Sequence, residues 1–161
     1  MFNPLQTQQL ASDPKNSVWV MASAGSGKTK VLTDRILRLL LEDVAPHKIL
    51  CLTYTKVASV EMQERLNHEL QNWIICSDEE LFEKLLNLTG IKPENQILSK
   101  ARGLLIKNLD AELKIKIQTI HSSMGYGIIH DMYFSFREWL QYNRSTIKTI
   151  IILVVQSRCS Y

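Results

Sequence analysis

The segment from Ala22 to Thr29 constrains the fold of this chain more than any other part of its sequence. It reads Ala-Ser-Ala-Gly-Ser-Gly-Lys-Thr and directly follows the apolar run Val18-Trp19-Val20-Met21. The two glycines permit a tight turn and let backbone N–H groups approach a ligand closely, which makes a concave anion site at the start of a helix. Such a loop lies between a strand and a helix, so the sequence predicts a phosphate-binding unit of that kind.

Each residue of this loop has a predicted role in holding a nucleoside triphosphate. Lys28 is expected to reach the β- and γ-phosphates, and the hydroxyl of Thr29 is expected to bind a Mg²⁺ ion that bridges them. The remaining residues are expected to surround the phosphates with their backbone; they are Ala22, Ser23, Ala24, Gly25, Ser26 and Gly27. The predicted ligand is therefore a nucleoside triphosphate with Mg²⁺.

The sequence on either side of the loop predicts alternating strands and helices. A short helix is expected over Pro4–Ser12, and the β-branched and aromatic residues of 17–21 predict a strand. Helical spacing then extends to about Glu42 through Val31, Leu32, Arg35, Ile36, Leu39 and Leu40. The apolar run from Lys48 to Thr53 predicts a second, buried parallel strand.

Three more helices and a return to the sheet are predicted further along. The helices are expected near 57–70, 78–88 and 93–107, the first with an apolar stripe of Val60, Met62, Leu66 and Leu70. Ser77 and Glu80 have the spacing of a helix N-cap box. Alternation around residues 115–120 predicts a strand. The apolar tail, residues 147–155, is too short to span a membrane and predicts either a strand or a disordered, aggregation-prone end.

Composition narrows the class of protein without identifying it. The 161 residues make one domain, and 45% hydrophobic with 22% charged residues is ordinary for a globular protein. A net charge of +3 is too small to argue for nucleic acid by itself. Three scattered cysteines match no metal-ligand spacing, and the polar start has no signal-peptide pattern. A cytoplasmic protein with reduced thiols and no membrane partner is therefore expected.

Four short segments in one order resemble the N-terminal part of UvrD/Rep-type superfamily 1 DNA helicases, the AddA-type helicase-nuclease subunits in particular. They are Gln8, the phosphate loop, Leu52-Thr53-Tyr54-Thr55-Lys56 with Ala58 and Glu61-Met62, and Gln118-Thr119-Ile120-His121-Ser122. The resemblance covers about Leu5 to Ser122. It implies an α/β fold of the P-loop NTPase (RecA-like) type, with an incomplete parallel sheet and a helical insertion.

The same resemblance implies a division of the chain. Residues 1–60 would form the first part of the RecA-like ATP-binding lobe and residues 61–112 a helical insertion. Residues 113–123 would return to the sheet, and residues 124–161 would be a divergent tail.

The resemblance also implies which residues bind ATP and DNA. Gln8 would contact the adenine, with Gln9 as an alternative, because a glutamine amide both donates and accepts hydrogen bonds. The residues implied to contact single-stranded DNA are Thr53, Tyr54, Thr55, Thr119 and His121. On the residues alone other interpretations stay open. Gln8 could be a helix-surface residue, Tyr54 a core residue between strand-forming threonines, and His121 a structural histidine.

No Asp-Glu pair that would complete a helicase hydrolysis site is identifiable. The acidic pair Asp78-Glu79 follows an apolar run, but it falls inside the implied helical insertion beside the Ser77 cap. The chain is therefore expected to be a truncated, ATP-binding segment of a helicase for DNA unwinding and repair that is not competent alone. Its expected partners are single-stranded or duplex DNA and a protein that supplies the missing lobes.

Two other classes of function remain open from the sequence. A small P-loop nucleotide or metabolite kinase would suit the length and would need a basic lid, for which the stretch around Lys100, Arg102 and Lys107 is a candidate. A non-catalytic, nucleotide-dependent interaction module is the other.

Overall fold

The computed structural model describes residues 3–18, 20, 27–53, 55–109, 115–119 and 149–153. Within them the chain forms five α-helices, three strands and a short 3-10 helix, Pro46–Lys48. The helices are α1 (Pro4–Ser12), α2 (Lys28–Leu41), α3 (Lys56–Ile75), α4 (Asp78–Thr89) and α5 (Asn95–Leu109). The strands are β1 (Ile49–Thr53), β2 (Lys116–Thr119) and β3 (Thr149–Leu153).

The three strands form one parallel sheet in the order β2-β1-β3. All five residues of β1 are buried, as expected for a central strand covered on both faces. Thr53 pairs with Thr119 on one side and with Leu153 on the other, so the carboxyl ends of all three strands meet at one edge. The predicted parallel sheet is confirmed, and of the two alternatives for the tail the strand is the one observed.

The predicted strand over residues 17–21 does not form in its described part. Residues 17, 18 and 20 belong to no strand, and Trp19 and Met21 lie outside the described residues. Val18 and Val20 are 42% and 36% exposed. Both hydrogen-bonding edges of β1 are occupied, by β2 and β3, so residues 17, 18 and 20 do not pair with the central strand.

The helices share one hydrophobic core with the sheet. It includes Ile36, Leu37 and Leu40 of α2, Met62, Leu66, Leu70 and Trp73 of α3, Leu81 and Leu85 of α4, and Ala101 and Leu104 of α5. Val60, predicted to join this stripe, is 55% exposed instead. The actual period of the buried face continues to Trp73, which is why α3 extends to Ile75 rather than ending near Leu70.

The ends of the helices follow the local sequence closely. Thr55 caps α3 by accepting a hydrogen bond from the Ala58 N–H at 3.2 Å. Ser77 caps α4 by accepting from the Glu80 N–H at 3.2 Å, so the predicted cap is confirmed. Helix α5 begins at Asn95, two residues after the predicted start at Pro93. None of the helices in the described residues is long and apolar enough to cross a membrane.

Candidate nucleotide-binding site

Gly27, Lys28 and Thr29 are the described part of the predicted phosphate loop; residues 22–26 lie outside it. Gly27 has a φ of +88°, a left-handed conformation that glycine adopts without strain, and it immediately precedes the first turn of α2. Glycine has no side chain with which to cap the helix. The first N–H groups of α2 therefore stay suited to an external acceptor such as a phosphate.

The charge at the start of α2 also suits an anion. The first turn contains no acidic residue, and Lys28 and Lys30 place two cations there. Because the amino end of a helix carries partial positive charge, cations there are unfavourable by themselves; the Asp34 carboxylate pairs with Lys30 at 2.7 Å, and an anion bound at the helix start would offset the charge further. The residues present thus fit a triphosphate. In the described residues no group of histidine, cysteine and carboxylate side chains could hold a metal ion by itself.

The two neighbouring glutamines of α1 have different surroundings. The Gln8 amide nitrogen lies 3.8 Å from the point where a Cβ on Gly27 would be, so α1 brings this amide to the phosphate loop. The Gln9 amide instead donates to the Asn87 carbonyl at 2.8 Å. Its oxygen lies 3.3 Å from the Cβ position of Gly90, at the end of α4. The geometry favours Gln8 over Gln9 for a ligand in the loop.

Two arginines of α2 that sequence reasoning did not assign to the site fasten α1 to α2. Arg35 donates to backbone carbonyls of the turn after α1, and Arg38 donates to the Gln9 carbonyl at 2.8 Å. Burial lowers the pKa of Arg35 from its ordinary value, while nearby Asp13 acts in the opposite direction. The sequence feature that could have indicated this role is the pair of arginines three residues apart beside the apolar face of the predicted helix.

The threonines implied to bind DNA converge on the carboxyl edge of the sheet. Thr53 is fully buried, and its hydroxyl donates to the Thr55 carbonyl at 3.0 Å. Thr55 is exposed and caps α3, while Thr119 is buried beside Thr53. Tyr54 and His121 lie outside the described residues. Of the described three, Thr55 is the one that presents its surface to solvent.

Lys100 and Arg102, two cations of the basic stretch that would support a kinase lid, make structural contacts. Arg102 donates to the carbonyls of Trp73, Ile74 and Cys76 at 3.0, 2.7 and 3.0 Å and to the Asp78 carboxylate at 2.6 Å. Arg102 therefore supplies hydrogen-bond donors to the carbonyl groups at the carboxyl end of α3. Lys100 pairs with Asp43 and lowers the pKa of that carboxyl group. Neither cation is placed as part of a mobile lid.

Cys51 is not a reactive group of this site. It is completely buried in β1, and burial raises the pKa of its thiol to about 12. The thiolate, which is the nucleophilic form, is therefore suppressed at neutral pH.

The fold and these segments define a helicase N-terminal domain. The chain belongs to the UvrD/REP helicase N-terminal domain family, whose family model matches residues 2–156. This confirms the resemblance drawn from the four segments. No solved structure matches the chain.

Individual relatives match shorter stretches. An ATP-dependent helicase/nuclease subunit from Ligilactobacillus salivarius is 37% identical over 94 residues, which are 58% of this chain and 7% of that protein. The ATP-dependent DNA helicase PcrA of Staphylococcus epidermidis is 56% identical over 50 residues, 30% of this chain and 7% of that protein. PcrA of Staphylococcus aureus is 44% identical over 69 residues, 41% and 10% respectively. The matched part is thus a small fraction of each relative's length.

Proposed function

We propose that this chain is the ATP-binding N-terminal segment of a DNA helicase that unwinds DNA in repair, and that it cannot hydrolyse ATP alone. The observation that carries the proposal is the start of α2. There a left-handed Gly27 opens a helix with two lysines and no acid in its first turn, and the Gln8 amide lies beside it. Residues 22–29 bind the phosphates, Thr29 meets the Mg²⁺ ion, and Gln8 contacts adenine.

The proposed lack of hydrolysis rests on the residues that come directly after the strands. P-loop ATPases hold Mg²⁺ with the loop hydroxyl and with an aspartate from a strand end, and ligands of open parallel sheets bind at the carboxyl edge. At that edge β1 is followed by Tyr-Thr-Lys, β2 by Ile-His-Ser and β3 by Val-Val-Gln. None of these three-residue segments contains a carboxylate. In this proposal the catalytic groups come from outside these segments.

The proposed DNA path follows the same edge of the sheet. Tyr54, Thr55 and His121 would border a single strand of DNA, with Thr55 donating to phosphate oxygens and Tyr54 stacking on a base, while the buried Thr53 and Thr119 would shape that edge of the sheet. In this proposal residues 1–60 and 113–123 belong to a RecA-like lobe. Residues 61–112 are a helical insertion, and residues 124–161 are a divergent tail that nonetheless contributes β3. The proposed location is the cytoplasm.

The test is binding and turnover of Mg-ATP by the purified chain, with and without single-stranded DNA. Lys28→Ala is the informative variant, and Lys84→Ala, an exposed lysine of α4, is the matched control. We expect ATP binding that Lys28→Ala abolishes and Lys84→Ala keeps, with no turnover in any sample. Absence of ATP binding would overturn the binding proposal. DNA-stimulated turnover lost in Lys28→Ala would overturn the claim that the chain is incompetent alone.

A further inference from the structure

We propose that Arg35 and Arg38 are positioning residues that set the preference of this chain for adenine. They do so by holding the helix that carries Gln8 against the helix that begins at the phosphate loop. The inference rests on the nucleotide-binding function proposed above. It concerns two side chains that do not touch the loop themselves and act through α1.

Arg35 holds the turn that follows α1. One terminal nitrogen of its guanidinium donates to the Asp13 carbonyl at 2.6 Å. The other donates to the Asn16 carbonyl at 2.6 Å and lies 3.3 Å from the Pro14 carbonyl. The planar guanidinium of Arg35 therefore contacts three carbonyl groups of one turn. This turn leads directly into the segment that enters the phosphate loop, so Arg35 fixes both the exit of α1 and the approach to the loop.

Arg38 lies one turn further along α2 and holds the end of α1 itself. It donates to the Gln9 carbonyl at 2.8 Å and to the Ser12 hydroxyl at 3.2 Å. Its guanidinium also lies 3.6 Å from the Asp13 carboxylate. The carboxyl end of a helix leaves carbonyls without intrahelical partners and carries partial negative charge, so a cation there is doubly favourable. The carbonyl it holds belongs to the residue next to Gln8.

Apolar packing contributes little to the placement of α1. Of its nine residues, all of them described, Ser12 is the one that is buried, whereas Leu5 and Leu10 are 43% and 62% exposed. An isolated helix of this length is marginal in water. The position of α1 is therefore set by polar ties: the two arginines from α2 and the Gln9 amide bond to α4.

Adenine recognition is sensitive to this placement. A glutamine amide reads the adenine edge through two hydrogen bonds at once, and a shift of about 1 Å is enough to lose such geometry. Lysine in place of either arginine would keep the charge but lose the planar set of donors that reaches several carbonyls together. The expected defect is therefore in base discrimination and not in phosphate binding, because the loop itself stays intact.

The test uses the full chain with Arg35→Lys, Arg38→Lys and the double variant. Arg65→Lys is the matched control, since Arg65 pairs with Glu61 at 3.5 Å on an exposed face of α3. Affinities for Mg-ATP, Mg-GTP and inorganic tripolyphosphate are measured by titration calorimetry. We expect the preference for ATP over GTP to fall at least about threefold in the Arg35 and Arg38 variants, with tripolyphosphate affinity within about twofold of wild type. Arg65→Lys should change neither quantity.

A double-mutant comparison distinguishes positioning from general stability. If the arginines act through Gln8, adding Gln8→Ala to the double variant lowers the ATP preference no further. Equal losses for all three ligands, or an unchanged ATP to GTP ratio in a folded variant, would overturn the inference. Should the double variant fail to fold, Arg38→Lys alone carries the same comparison. If the wild-type chain binds neither tripolyphosphate nor ATP, the proposed function is wrong, and this inference is wrong with it.

Discussion

The amino ends of α2 and α4 differ in how their backbone N–H groups and partial positive charge are compensated. At the start of any helix the backbone N–H groups lack intrahelical acceptors and carry partial positive charge. At α4 the chain satisfies these groups itself, because Ser77 caps the Glu80 N–H and the first turn is Asp-Glu-Glu. At α2 the capping position is Gly27, and the first turn contains Lys28 and Lys30 with no acid.

This difference teaches how a helix start is kept available for a ligand. Three carboxylates repel a phosphate, so the start of α4 is closed to anions and contributes stability alone. The start of α2 has no side-chain cap, and its first turn holds two lysines and no acid, with Lys30 paired to Asp34 of the next turn. An anion is therefore opposed less there than at the start of α4. A helix start of this kind is a candidate site when the preceding residues form a glycine-rich loop. Four predictions test this comparison.

Lys28→Ala is expected to have the largest effect. Removing the ammonium group should weaken binding of Mg-ATP by roughly 10- to 100-fold, because a hydrogen bond to a charged phosphate is lost. Binding of AMP should change by less than about threefold, since the ammonium contacts the terminal phosphates. Titration calorimetry with both nucleotides measures the two ratios. Equal weakening for AMP and ATP would show that Lys28 does not contact the terminal phosphates.

Gln8→Ala should have the next largest effect, and Gln9→Ala is its natural control. Gln8 lies beside the start of α2, whereas Gln9 bonds to Asn87 near the end of α4. We expect Gln8→Ala to reduce the preference for ATP over GTP by about five- to tenfold, in line with the loss of one paired contact to a base. Competition of ATP and GTP for a fluorescent nucleotide measures it.

The two glutamine variants separate base recognition from helix docking. Gln9→Ala should lower the melting temperature slightly and reduce the ATP to GTP preference by less than Gln8→Ala does, because it removes one of the ties that hold α1 but keeps the glutamine that contacts the base. If the ATP to GTP ratio is unchanged in Gln8→Ala, the glutamine is a surface residue and has no part in base recognition.

Ser77→Ala should reduce the free energy of unfolding and leave the affinity for ATP unchanged. Loss of an N-cap serine costs about 1 kcal/mol, within a range of about 0.5–2 kcal/mol. The free energy of unfolding from urea titration measures the loss, and ATP affinity in the same variant provides the contrast with α2. A stability change below about 0.3 kcal/mol would mean that the acidic first turn, rather than the serine, satisfies the start of α4.

Elements whose stability is local were predictable from sequence. The bounds of α1 were predicted as observed, and the start of α4 followed from the Ser77 cap. Helix α2 ends within a residue of its predicted end because Val31, Ile36 and Leu40 keep a regular buried face. The buried parallel strand β1 and the return of the chain to the sheet at β2 were also predicted, whereas the direct pairing of these two strands was not.

Features that depend on distant partners were not predictable in the same way. Residues 17–21 have strand-forming side chains, but whether such residues pair depends on the rest of the sheet, in which β2 and β3 flank β1. Arg35 was counted within the helical repeat, and its hydrogen bonds to the turn after α1 depend on how α1 docks. The choice between Gln8 and Gln9 likewise required the positions of Gly27 and Asn87.

The carboxyl ends of α2 and α4 extend the comparison and give the smallest predicted effect. Each helix is followed by a residue in the left-handed conformation, Gly90 after α4 and Asp43 after α2, with φ of 72° and 61°. A carboxylate near a helix carboxyl end is unfavourable, but Asp43 accepts a hydrogen bond from Lys100, which lowers its pKa below the ordinary 3.8. The folded state therefore favours the ionised form more than the unfolded state does.

The sign of the pH dependence is set by that lowered pKa. Above the ordinary value both states are ionised and the stabilisation is fully present; as pH falls through the lowered pKa the folded state binds the proton and the stabilisation disappears. Asp43→Asn tolerates the left-handed backbone but removes the charge. We expect this variant to melt slightly below wild type at about pH 7 and to converge with it as the pH falls through the lowered pKa of Asp43. Lys100→Ala should show the same convergence. A gap in melting temperature that persists at low pH would assign the role of Asp43 to its backbone conformation, as for Gly90, and not to its charge.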